Sequence, residues 1–326
     1  MKRKIWIAIP VTLIIICGAL MFWYNHEPEL FDPVERARLH ASAHGHADVT
    51  GTATTSALIE VVDGLLHKRG GYLSNDIMPP GVFLDNVPNW EYGVLIQVRD
   101  LARTLRNDFS RSQTQSTEDP DLSEADPLFH YTSDRWLIPA TEGKYKEGMM
   151  YLESYLARLS DPNQPDAQFY ARADNVSEWL GLVEKRLGSL SQRLSASVGQ
   201  QRLNTDLAGD TAAKQSTNVA GDMEVKTSWF DIDDVFYEAR GSTWALIHFL
   251  KAMEVDFHEV LRKKNALISF RQIIRELEST QEPLHSPMVL NGNKFGMFAN
   301  HSLVMANYIS RANAAIIDLR FLLQQG

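Results

Sequence analysis

Ile5 to Tyr24 is a run of twenty residues without a single charge, and it limits what the rest of the chain can be. Wound as a helix it extends about 30 Å, the thickness of a bilayer's hydrocarbon core. Lys2, Arg3 and Lys4 open the run, and Phe22, Trp23 and Tyr24 close it as an aromatic belt. One charged side chain at mid-bilayer costs about 3 kcal/mol on insertion scales, so the absence of any points to a transmembrane helix. Pro10 lies early enough to do no more than kink it. The basic triplet predicts a cytoplasmic N-terminus, with residues 25–326 outside; Arg36 and Arg38 on the far side weaken that bias. Cys17-Gly18-Ala19 makes a poor cleavage site, and Ile16 is too large to precede a lipidated Cys17. The expectation is therefore a retained single-pass anchor over residues 1–24. About four residues remain on the cytoplasmic side, too few for a module there.

Charge narrows the partners. Removing Lys2, Arg3 and Lys4 from the net charge of −9 leaves −12 for residues 27–326. Such a surface repels phosphate backbones, which argues against nucleic-acid binding. Cys17 is the only cysteine, so no disulfide or thiolate metal site is expected in the soluble part.

Beyond the anchor, residues 25–52 read as a juxtamembrane tether, with Pro28, Pro33, Gly45 and Gly51 and little apolar periodicity. Residues 53–326 read as one helical extracytoplasmic domain. A first helix is expected over Thr54–Lys68, with Gly70-Gly71 as its stop. A connector, Tyr72 to Pro88, follows. The next helix opens at Pro88-Asn89, with Asn89 as N-cap. Residues 110–126 are polar and read as a surface loop or a frayed helix end. A helix over Thr141–Ser160 is bounded by Asp161-Pro162. Ala173, Val176, Leu180, Val183, Leu187, Leu190 and Leu194 then follow heptad spacing. Met305, Ile309, Ala312, Ile316, Leu319 and Leu323 form a second seam. These faces must find apolar partners, within the chain or by homo-oligomerisation. Residues 199–228 read as a polar linker, and Asn291-Gly292 as the turn of a small hairpin. The fold class is all-α: a transmembrane helix followed by a multi-helix bundle with long, coiled-coil-like helices.

Chemistry is sparse. His40, His44 and His46 cluster near Asp48, a set of imidazoles able to hold Zn²⁺ or Cu²⁺, but nothing nearby fixes the rings. Glu282-x-x-His285 is broken by Pro283, and Glu254 and His258 read as an exposed helical pair. No serine-nucleophile motif and no phosphate-binding glycine loop occurs, so no cofactor is expected. The connector and its flanks, residues 70–91, combine Asp76, Asp85 and Glu91 with Tyr72, Phe83 and Trp90. Carboxylates beside aromatics suit acid–base work or a sugar- or peptide-binding groove. The plainer alternative is a loop pinned by its own aromatics, with its acids capping turns. Trp229-Phe230-Asp231-Ile232-Asp233-Asp234 reads mainly as an acidic helix start.

Two blocks, GGYLSNDIMPPGVFLDNVPNWEYGVLIQVRD (70–100) and WFDIDDVFYEARGSTWAL (229–246), resemble an uncharacterised proteobacterial family of membrane-anchored proteins, domain of unknown function 2333. The resemblance implies a Gram-negative envelope protein and brings no catalytic residue, substrate or cofactor. Three functions remain open. The first is a structural or interaction role on the periplasmic face of the inner membrane, with an envelope protein as partner. The second is a peptidoglycan- or glycan-acting enzyme using Asp76, Asp85 or Glu91. The third is a bundle binding lipid or a small ligand in a closed apolar cavity.

Overall fold

The computed structural model describes residues 2–44, 49–112, 117–161, 163–164, 166–203, 222–286, 288–293 and 296–325. Among these residues there are eleven α-helices and one two-stranded antiparallel ribbon, an all-α architecture as expected. The helices are α1 (Lys2–Tyr24), α2 (Pro33–His44), α3 (Thr52–His67), α4 (Asn86–Thr104), α5 (Pro120–Phe129) and α6 (Thr141–Ser160). They continue as α7 (Ala173–Ser195), α8 (Ile232–Asp256), α9 (His258–Lys263), α10 (Leu267–Glu278) and α11 (His301–Gln324).

The pillar of the fold is α8. Every residue from Ala239 to Leu250 is buried, as befits a helix packed on all sides. Helices α2, α3, α4, α7, α10 and α11 surround it. Its closest neighbour is α4, and two glycines permit that approach. A Cβ on Gly93 would collide with the Glu238 carbonyl and lie 2.7 Å from the Ser242 amide nitrogen. One on Gly241 would collide with the Trp90 carbonyl, 2.8 Å from its carbon.

The second long pair is α7 and α11. Arg320 donates to the Ser177 carbonyl at 3.1 Å, and Ser191 Oγ lies 2.5 Å from Ser310 Oγ, so the two run antiparallel. Val176, Leu180, Val183, Leu187, Leu190 and Leu194 are buried, as are Met305, Ile309, Ala312, Ile316, Leu319 and Leu323. The two heptad faces therefore pack on each other within one chain. Each such side chain contributes about 1.5–3 kcal/mol. Helices α5 and α6 pair and close the bundle over α3 and α4.

Several expectations are revised. Helix α4 starts at Asn86, capped by Asp85, whose side chain accepts from the Asn86 amide at 2.9 Å. Asn89 is not the cap: Pro88 falls in the first turn, where its missing N–H costs nothing. Residues 120–126, expected within a surface loop or a frayed helix end, begin α5; Asp119 caps it and Pro120 takes the first position. The tether contains α2, whose Ala37 and Ala41 are buried and which packs on α3 and α8. The polar linker carries the ribbon, β1 (Gln200–Leu203) with β2 (Asp222–Val225), in register from Gln200 opposite Val225 to Leu203 opposite Asp222. The expected hairpin at Asn291-Gly292 amounts to one antiparallel bridge, Asn291 to Asn300.

At α1, among the described residues, no helix is long and apolar enough to cross a membrane; its described side chains begin at Ile9. Ile9, Val11, Leu13, Ile14, Ile15, Ile16, Phe22 and Trp23 are all exposed.

Candidate functional site

The connector after α3 is held by Glu91, on α4 and wholly buried. Its carboxylate accepts from Lys68 Nζ, from the Leu73 and Ser74 amides at 2.8 Å each, and from Ser74 Oγ. Lys68, equally buried at the end of α3, also donates to the Gly71 carbonyl. One carboxylate thus ties the end of α3, the connector and α4 together. With four donors on two oxygens and no exposure, Glu91 is occupied as a clamp. Gly70 and Gly71 provide the expected stop at left-handed φ values of 86° and 76°, and the Tyr24 ring lies against Gly70 where a Cβ would otherwise sit.

Downstream, Asn75 Nδ2 donates to the Arg135 carbonyl at 3.1 Å and to Glu142 Oε2 at 2.7 Å. The Tyr72 hydroxyl donates to the Ser133 carbonyl at 2.9 Å, and its ring meets Tyr145 edge-on at 5.8 Å. Burial pushes the Tyr72 phenol far up, so it remains a donor. Asp76 is exposed and tucked against Gly81. Partial desolvation and then the charge of Glu142 raise its carboxyl above the ordinary value, with Lys68 opposing.

The structure therefore distributes the predicted catalytic candidates instead of gathering them. Glu91 clamps, Asp85 caps a helix, and Asp76 braces a turn. Of the predicted binding aromatics, Tyr72 and Trp90 are core residues, Trp90 packing on Trp244 at 5.2 Å; Phe83 alone is exposed. His40 and His44 fall on α2, and His46 lies outside the described residues. Among the described residues no group of three or more His, Cys, Asp or Glu side chains is placed to hold a metal ion.

A second polar constellation, not anticipated from the sequence, fixes residues 25–32 along α8. Arg240 pairs with Glu27 at 2.7 Å and donates to the Thr280 and Glu282 carbonyls at 3.1 and 2.9 Å. Trp244 Nε1 reaches the Glu29 carbonyl at 3.4 Å. Phe31 stacks on His248 at 3.9 Å, and its amide donates to His248 Nε2 at 3.1 Å. His248 Nδ1 lies 2.7 Å from the Trp244 carbonyl, so that nitrogen carries the proton. Burial pulls the imidazole down to about 3, and the ring is neutral. The available signal was an arginine and a histidine as the only ionisable residues between Ala239 and Leu250.

Three surface grooves stand out. The largest, about 720 Å³, flanks the α7–α11 seam and is lined by both charges, among them Asp174, Glu178, Glu184, Lys185, Lys264 and Arg320. Two of about 440 and 420 Å³ meet at Arg240. None of the three is lined by Asp76, Asp85 or Glu91.

Fold and site together define a helical bundle whose buried polar groups serve as clamps and caps around a central helix. The chain belongs to a family described as an uncharacterized protein conserved in bacteria, domain of unknown function 2333, whose model matches residues 1–326. No curated protein and no solved structure matches it.

Proposed function

We propose that the protein is a single-pass, membrane-anchored bundle of the bacterial cell envelope with a structural or protein-interaction role. Residues 5–24 lie in the inner membrane, the N-terminus faces the cytoplasm and the bundle stands in the periplasm, where it presents its surface to another envelope protein. The observation that carries this is the exposure of α1. Ile14, Ile15 and Ile16 are consecutive and all exposed. Consecutive residues on a helix point in three directions, so no single protein face covers them. Lipid covers all three. The apolar sequence continues to Ile5, and the basic triplet before it sets the orientation.

The bundle's own polar groups favour a scaffold over a catalyst, since the connector carboxylates are already engaged with backbone amides, Lys68 and a neighbouring turn. Two measurements test the reading. The full-length chain is expected to stay with membranes in alkaline carbonate; release into the supernatant defeats the anchor. Protease added to intact spheroplasts is expected to remove the bulk of the chain. Full protection there, with digestion after detergent lysis, reverses the orientation.

A further inference from the structure

We propose that the end of the bundle beside α1 is itself a membrane-contacting face, with the turn over residues 77–83 and the pair Trp229-Phe230 seated in the zwitterionic headgroup region beside the anchor. The inference rests on the reading of α1 as an anchor and adds a second, monotopic contact to it.

The turn is inverted relative to an ordinary surface loop. Its polar flanks are engaged, at the Glu91 clamp on one side and the Asp85 cap on the other, while its large apolar side chains point outward. Ile77 is 53% exposed, Met78 71%, Val82 48% and Phe83 61%. Solvent loops tolerate isolated apolar residues, but a contiguous group marks a surface with an occupant. Asp76 packed against Gly81 braces the turn across its base, so the exposed side chains are held in place.

Position identifies the occupant. Of all the other elements, the short 3₁₀ turn Gly81–Phe83 is the one α1 packs against most, and Tyr24 at the end of α1 rests on Gly70. The apolar turn therefore abuts the helix proposed to enter the bilayer. The start of α8 lies at the same end. Asn89 Nδ2 donates to Asp234 Oδ1 at 2.7 Å, and Asp85 adds its charge to that of Asp234. Trp229 and Phe230, immediately ahead of α8, are 67% and 83% exposed. Tryptophan, phenylalanine, methionine and isoleucine held beside a membrane entry point are the residues that partition into the interface. Asp85, Asp231 and Asp233 act together on Asp234 at this face, outnumber the exposed Arg69 beside Gly70 and disfavour anionic headgroups, which leaves zwitterionic lipid as the occupant.

The test uses the full chain with Cys17→Ser and one new cysteine at a time: Trp23→Cys in the anchor, Phe83→Cys and Phe230→Cys in the face, and Ile268→Cys as control. Ile268 is exposed on α10, whose Arg271 pairs with Glu254 at the far end of α8. Each variant carries an environment-sensitive fluorophore and is reconstituted into phosphatidylcholine vesicles, with or without lipid spin-labelled near the headgroup. Quenching at positions 83 and 230 is expected to approach that at 23 and to exceed that at 268 at least twofold. If 83 and 230 resemble 268 while 23 is quenched, the face is wrong and the anchor stands. If 23 is also unquenched, the anchor reading itself has failed. Blue-shifted but unquenched probes at 83 and 230 would put a second copy of the chain on this face and overturn the proposal.

Discussion

The two long helix pairs are built on opposite principles. In the antiparallel α7–α11 pair the information is carried by side chains that are present: a repeating stripe of Leu, Val, Ile and Met on both helices, all buried. In the α4–α8 pair it is carried by side chains that are absent. Gly93 and Gly241 allow the backbones to touch, and the remaining contact is mixed, with Trp90 on Trp244 and Gln97 Nε2 donating to Ser242 Oγ at 2.8 Å. A seam of many similar residues spreads its stabilisation, so each member matters in proportion to its size. A glycine crossing concentrates its requirement at two atoms, and the chemistry around it is polar and specific.

Three substitutions separate these principles, the largest effect first. Glu91→Ala removes the acceptor shared by Lys68, Leu73 and Ser74 and leaves a buried ammonium without its partner. Breaking a buried pair on one side costs about 3–5 kcal/mol, so the midpoint of urea denaturation should fall steeply; a change under about 1 kcal/mol would show that Lys68 reaches solvent. Leu187→Ala, in the middle of the seam, should cost about 3 kcal/mol through lost transfer and cavity terms. The third is a test of sign. In an ordinary helix interior, Gly→Ala gains about 1 kcal/mol. At Gly241 the added methyl meets the Trp90 carbonyl, and overpacking of this kind costs about 1–3 kcal/mol. Gly241→Ala should therefore destabilise in thermal melts, and a stabilised variant would mean that the helices can part without loss.

The same contrast explains what the sequence disclosed. Helix α6 has the bounds its periodicity and Asp161-Pro162 indicated, and the stripes of α7 and α11 were legible residue by residue, because a repeating apolar side chain is visible in one dimension. The rest depends on partners distant in the chain. No local feature distinguishes the buried Glu91 from the exposed Asp76, since burial is decided by Lys68 and the connector folding over it. Helix α2 escaped notice because its buried face is made of Ala37 and Ala41, too small for a strong periodic signal. The β1–β2 ribbon is held by backbone pairing between polar stretches, with no alternation to see. The helix-capping role of Asp85 was not assigned because Pro88 drew the expected cap to Asn89, four residues downstream. The glycines were a missed signal: a glycine in the middle of a strong helical pattern has a packing reason, and Gly93 and Gly241 share one.

The smallest effect sharpens the contrast by pH. His248 on α8 and His301 at the start of α11 each accept a hydrogen bond from a backbone amide, His248 from Phe31 and His301 Nδ1 from Leu290 at 3.0 Å. Protonation abolishes either bond, and burial holds both imidazoles below the ordinary value, His248 at about 3. A histidine whose folded pKa lies below its unfolded pKa contributes stability that is fully present above about pH 6.5 and is lost as the pH falls toward the folded value. Between pH 6.5 and 5 the His248 contribution should fall by up to about 1.4 kcal/mol per pH unit, one proton taken up on unfolding, while Asp234, pushed up to about 6, contributes with the opposite sign. His248→Asn should remove that slope. His301→Asn should remove a smaller part of the slope, because His301 is only half-buried, and Leu187→Ala should lower the whole stability curve without tilting it. If His248→Asn leaves the slope unchanged, the buried imidazole is reached by water through the 25–32 segment, and that segment is less firmly seated on α8 than the Arg240–Glu27 pair implies.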